Sequence, residues 1–194
     1  SGVYCEFYKD GFFGYGEKGD FQYGSVWHIL PILLLLVGIY LTYRYRERLK
    51  NWKHEESFRY VLAFSIMIIE MSYYWRLLYV GSSHLDEFNL MDKLPLQVCQ
   101  WSAIFSIFML CRKSRGFYDL CFYMCCTFGL VPLITPAVIS TTGPRYYRYY
   151  QFWLEHLLPL YAVWYMTMVH GCVTTRKRMY KAILFIALLG VFAI

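Results

Sequence analysis

Apolar residues in this chain come in long blocks, and the charged residues gather in the short stretches between them. The first block, "VWHILPILLLLVGIYLT", covers Val26–Thr42. Others cover Phe58–Val80, Leu94–Cys111, Phe117–Ile139 and Tyr149–Cys172, and a last one begins near Ala182. Blocks close to about 20 residues match the hydrocarbon thickness of a bilayer when helical. The final run, "KAILFIALLGVFAI", stops after about 14 residues, short of a full crossing. The pattern predicts an all-α, polytopic membrane helical bundle of about six spans, the last one truncated. Residues 1–24, rich in glycine and aromatics, read as an interfacial lead-in outside the membrane. Residues 25–194 read as a single transmembrane helical domain. No internal repeat is present.

Composition supports this class. Hydrophobic residues make up 58% of the chain and charged residues 16%, against roughly a quarter charged in soluble domains. A net charge of +6 raises the question of nucleic acid, and the positions of the charges answer it. Twelve Lys and Arg fall in three short stretches, 44–53, 112–115 and 176–181, that alternate with the other connections. Only five, Lys9, Lys18, Lys93, Arg145 and Arg148, are spread over the opposite connections. The positive-inside rule then puts the basic stretches in the cytoplasm and the N-terminus outside. The positive charge is accounted for by topology and anionic headgroups, so membrane lipids are the expected partners and nucleic acid is not. The chain is expected in the plasma membrane of a bacterium or the endomembranes of a eukaryote.

Seven cysteines are present, six of them in or beside apolar runs, and Cys5 alone in a polar segment. No CxxC or Cys/His metal spacing occurs, so neither a metal nor another cofactor is expected.

Ionisable groups inside a bilayer are costly, and each is a candidate for function. Cys99 lies about five residues inside the third block, roughly 8 Å deep, and His156 about seven inside the fifth, roughly 10 Å deep. Both helices run inward from the same face, so the thiol and the imidazole share a depth close to that of phospholipid esters. An imidazole that takes the thiol proton would leave a thiolate able to attack an ester carbonyl. Packing by the cysteine and a helix-bridging hydrogen bond by the histidine are the alternative. Glu70 sits mid-block in the second span. Its expected partner is His156, His28 or a tyrosine of "SYYW", either as the third member of a triad or as part of a buried packing network. Arg76, nearer the outer end, suits a lipid phosphate. His28, Gln97 and Gln100 complete a crowd of polar residues in the outer half, read as a substrate-binding pocket. Glu155 points about 100° away from His156 around the helix and is set apart. Pro132 and Pro136 are expected to kink the fourth span, and Pro159 to loosen the fifth. His170, Cys172, Cys125 and Cys126 read as structural.

"LPLQVC" resembles the LPLHxC signature of the YwaF-like integral membrane proteins, which are related to a eukaryotic transmembrane phospholipid acyltransferase family. "FGYGEKGDFQYGSVWHIL", "IIEMSYYWRLLYVG", "LITPAV" and "YYQFWLEHLLPLYAVW" are similar to that family's successive helices, from about Phe12 onward. The resemblance implies transfer of an acyl group between phospholipids through an acyl-cysteine, with Cys99 and His156 as the pair. It also implies a chain that runs on past Ile194. Gln97 stands where the signature has histidine, and an amide donates a hydrogen bond without titrating. The expectation is a cysteine-dependent lipid acyltransferase. Cys99 is the nucleophile, His156 the base, Glu70 the orienting group, and Gln97 or Gln100 the oxyanion donor. The competing expectation is a lipid- or small-molecule-binding or transport protein that uses the same pocket without covalent chemistry.

Overall fold

A computed structural model describes residues 11–14, 21–81, 98–136 and 143–192, with backbone alone at 77–81, 98–99 and 191–192. The described residues form helices α1 (Val26–Arg44), α2 (Arg46–Lys50), α3 (Glu55–Gly81), α4 (Val98–Arg112), α5 (Arg115–Thr127), α6 (Val131–Ile134), α7 (Tyr147–His170) and α8 (Arg176–Phe192). No strand occurs among them.

α7 is the axis of the bundle, packed against α1, α3, α4 and α5. Its buried residues run the length of the helix, from Phe152 and Trp153 through Leu160, Val163 and Tyr165 to Met166 and Val169. Pro159 is buried within it and the helix continues across it, so the loosening expected there does not interrupt the axis. Gly171 ends the helix at φ +63°, and the amide of Cys172 donates to the carbonyl of Met166 at 3.2 Å. That left-handed turn, closed six residues back, is how glycine stops a helix without the steric penalty a Cβ brings.

α1 shows what surrounds the bundle. Only Pro31 and Thr42 are buried along its length. Leu33, Leu34, Leu36 and Val37 are each more than half exposed. So continuous an apolar face suits lipid and not water. Two helical stretches among the described residues are long and apolar enough to cross a membrane. They are Val26–Arg44, with mean hydropathy 2.0, and Arg115–Ile134, with mean hydropathy 1.6. The other expected spans do not reach that standard. α3 and α7 have the length, at 27 and 24 residues, but carry Arg59, Glu70 and Arg76, and Arg148, Glu155 and His156. α4 and α8 have 15 and 17 described residues.

The break in the fourth block falls before its prolines. α5 stops at Thr127, the amides of Phe128 and Gly129 both donate to the carbonyl of Met124, and α6 restarts at Val131. Pro132 lacks the amide that a continuous helix would need there. Gly129 makes the close turn possible, because a Cβ on it would sit 2.5 Å from the carbonyl oxygen of Cys125.

Two ionic clamps hold the basic end of the bundle. Glu55, at the start of α3, receives Nε of Arg59 at 2.9 and 3.1 Å, the hydroxyl of Tyr165 at 3.1 Å and Nε2 of His170 at 2.6 Å. Lys113, between α4 and α5, stands 3.8 Å from the same carboxylate. Arg59 also donates through Nη1 to the carbonyl of Leu110. Asp119 on α5 takes a two-pronged bond from Arg178 on α8, at 2.6 and 2.8 Å.

Candidate functional site

A second group of polar side chains lies where α3, α4 and α7 meet, away from these clamps. Its best-defined member is His156. Nδ1 lies 2.8 Å from the carbonyl oxygen of Phe152, one turn back, and the imidazole rests on the Phe152 ring with centroids 4.5 Å apart. A carbonyl only accepts, so Nδ1 carries the proton and the neutral ring leaves a lone pair on Nε2. Nε2 has no hydrogen-bond partner among the described residues.

The turns before His156 carry a salt-bridged carboxylate. Glu155 Oε2 accepts from Arg148 Nη1 at 3.3 Å and from Gln151 Nε2 at 2.8 Å. The Arg148 guanidinium lies over the Tyr73 ring, 4.8 Å from its centroid, which ties α7 to α3. Gln151 is fully buried. Arg148, Gln151 and Glu155 recur at three- and four-residue spacing and so share a face of α7.

Glu70 lies within electrostatic range of Glu155 and Arg148. It is only 9% exposed, and neither carboxylate oxygen has a hydrogen-bond partner. Among the described residues it makes no hydrogen bond to His156, His28 or a tyrosine, the partners expected for it. The carbonyl of Phe152 orients the imidazole instead. One turn further along α3, the hydroxyl of Tyr74 accepts from Gln100 Nε2 at 2.9 Å. That bond brings the first turn of α4 to the level of Tyr74. Cys99 is the residue before Gln100, within α4, and its side chain lies outside the described residues, as does all of Gln97.

Arg76 is turned toward the N-terminal segment. Its Nε and Nη2 donate to the carbonyls of Phe13 and Gly14 at 3.1 and 2.8 Å. Beside it opens an apolar cavity of about 480 Å³, lined by Phe13, Ser72, Trp75, Arg76 and Tyr147. His28 stands apart from this group. Its Nδ1 accepts from the amide of Gly24 at 3.0 Å and its Nε2 donates to the carbonyl of Leu133 at 2.9 Å, so both ring nitrogens are engaged. It ties α1 to the turn before it and to α6. Among the described residues, no group of three or more His, Cys, Asp or Glu could hold a metal ion.

Of the residues singled out by sequence, Glu70 lies within electrostatic range of Arg148 and Glu155 of α7, Gln100 bonds to Tyr74 of α3, and His156 is held on the Phe152 carbonyl next in sequence to Glu155; Tyr74, Arg148, Gln151 and Glu155 are additions. The heptad spacing of Arg148 and Glu155 was the readable signal for the last three.

A helical bundle with lipid-facing apolar surfaces and a buried polar cluster is a membrane protein. The chain belongs to the TMEM164 family, a transmembrane-protein family whose model matches residues 23–194. No curated protein and no solved structure matches it.

Proposed function

We propose that the chain is a multi-pass membrane acyltransferase, N-terminus outside, that moves fatty acyl groups between lipids through a thioester on Cys99. The observation that supports the reading most is the bond from Nδ1 of His156 to the Phe152 carbonyl, which leaves Nε2 a bare base in a polar cluster. In the first half-reaction Nε2 takes the thiol proton and Sγ attacks the ester carbonyl carbon. The carbon–oxygen bond breaks, and the leaving alkoxide takes the proton back from Nε2, releasing a lysolipid. In the second half-reaction the hydroxyl of an acceptor lipid gives its proton to Nε2, attacks the thioester and frees the thiol. Glu155, held by Arg148 and Gln151, is the carboxylate within electrostatic range of the imidazolium, and Glu70 lies beyond it on α3. Gln97 or the second N–H of the Gln100 amide supplies a donor for the oxyanion. The donor is a phospholipid, because the cluster sits toward the face away from the basic loops, where cytosolic thioesters are absent.

The test is acyl exchange in liposomes holding the full chain and two phospholipids, one with deuterated acyl groups. Mass spectrometry should show label crossing between lipid classes. Cys99→Ala and Cys99→Ser should both abolish it, and His156→Gln should lower it by about 10²–10⁴-fold, the usual contribution of a positioned base. The apolar cavity at Phe13 and Trp75 favours a second reading, a lipid-binding protein without covalent chemistry. In that case the cysteine variants keep wild-type lipid retention and no label crosses in any protein.

A further inference from the structure

We propose that the groove between α5 and α8, at the basic end of the bundle, binds an anionic phospholipid of the adjacent leaflet. The groove has a volume of about 390 Å³. It is lined by Gly116, Asp119 and Leu120 from α5 and by Arg178, Lys181, Ala182 and Phe185 from α8.

Charge and shape both select the occupant. Asp119 is the single carboxylate lining the groove among the described residues, and both its oxygens are held by Arg178. The Arg178 head is therefore fixed as a wall. Lys181 is exposed and has no hydrogen-bond or ion-pair partner among the described residues, so its ammonium is available at the mouth. Arg115 is exposed at the start of α5, one residue before the groove-lining Gly116. Arg176 and Lys177 are exposed on the first turn of α8. Two cationic side chains, Arg178 and Lys181, therefore line the groove beside one neutralised carboxylate, and three more, Arg115, Arg176 and Lys177, stand within a few residues of them in sequence. Below them, Lys181, Phe185 and Leu188 follow one another at four and three residues along one face of α8. Phe185 is 41% exposed and Leu188 51% exposed. A cationic mouth above a continuous apolar strip fits a phosphate headgroup with acyl chains, and a soluble anion would leave the strip uncovered. The site is independent of the acyl-transfer reading, since His156 and Glu70 belong to the α3–α4–α7 cluster.

Native mass spectrometry of the full chain, released from bilayers of phosphatidylcholine with a minor fraction of phosphatidylserine, measures the selectivity. Wild type is expected to retain phosphatidylserine over phosphatidylcholine. Lys181→Gln should lower that retention about fivefold, the contribution of one basic side chain at a membrane surface. Gly116→Leu should lower it as far without changing charge. A Cβ at Gly116 meets only Ser114 Oγ at 3.8 Å, so the side chain enters the groove without backbone strain. Arg48→Gln, the same charge loss elsewhere on the basic end, should leave retention unchanged. Soluble glycerophosphoserine should not displace the lipid. The proposal is overturned if wild type shows no preference, if Lys181→Gln retains lipid like wild type, or if Arg48→Gln loses as much as Lys181→Gln. Lys181 is exposed, so its variant folds and decides the matter even where Gly116→Leu does not.

Discussion

Replacing Glu55 by alanine should destabilise the bundle more than any other single change at its basic end. The carboxylate is reached by Arg59, Tyr165 and His170 within 3.1 Å, and by Lys113 at 3.8 Å. The Arg59 side chain is 2% exposed and that of Glu55 8%. Removing one partner of a buried pair leaves the other charge without compensation, at a cost of about 3–5 kcal/mol. The half-exposed Lys113 adds only about 0–1 kcal/mol to that. Replacing both, as Glu55→Leu with Arg59→Leu, takes away both charges and should cost far less than the two single changes together. The assay is unfolding in mild detergent followed by circular dichroism, with all proteins in the same lipid. The reasoning fails if Glu55→Ala unfolds within about 1 kcal/mol of wild type, or if the double variant shows the sum of the singles. Acidity should reproduce part of the effect. Burial pushes the Glu55 carboxyl up, but the bonds from His170 and Arg59 outweigh it and hold the group below its ordinary value of 4.5. A carboxyl lowered on folding contributes stability above its unfolded value, and loses it as pH falls through the folded one. The Glu55 contribution should therefore be complete at neutral pH and decline below about 4.5.

Other consequences follow from single contacts. Arg178→Lys keeps the charge but loses the parallel pair to Asp119, so α8 should loosen by about 1.5–3 kcal/mol and its first turn become open to protease. Gly171→Ala forces a Cβ into the left-handed turn after α7, and should cost about 1–2 kcal/mol in the same unfolding assay. Gly129→Ala places a methyl against the Cys125 carbonyl, and should lower stability by about 1–3 kcal/mol and shift the α5–α6 turn. Phe152→Ala keeps the carbonyl that binds His156 but removes the ring beneath it. It should reduce acyl exchange while lipid retention stays at the wild-type level.

The helical architecture was readable because hydrophobic burial in lipid leaves long uninterrupted runs, and α1 begins at the residue where its run begins. The ends of α7 were readable within two residues, since a basic turn and a glycine follow it. What escaped reading needed partners far apart in sequence. Glu55 and Arg59 stand four apart on α3, yet Tyr165 and His170 reach them from α7, and no local pattern announces that meeting. Pro132 and Pro136 drew attention to themselves, whereas α5 ends before either, at Thr127, in a local turn where Gly129 closes on Cys125 four residues back. In the polar cluster, the cost of ionisable groups in a bilayer singled out His156 and Glu70. It did not reveal that a backbone carbonyl holds the imidazole, or that Arg148 and Gln151 hold the carboxylate beside it.

The most direct measurement is intact-protein mass spectrometry of the full chain after incubation with a phospholipid of defined acyl groups. The account expects an added fatty-acyl mass that maps to Cys99, is released by hydroxylamine and is missing from His156→Gln. A protein that stays at its unmodified mass with every phospholipid tried, while binding those lipids, contradicts it.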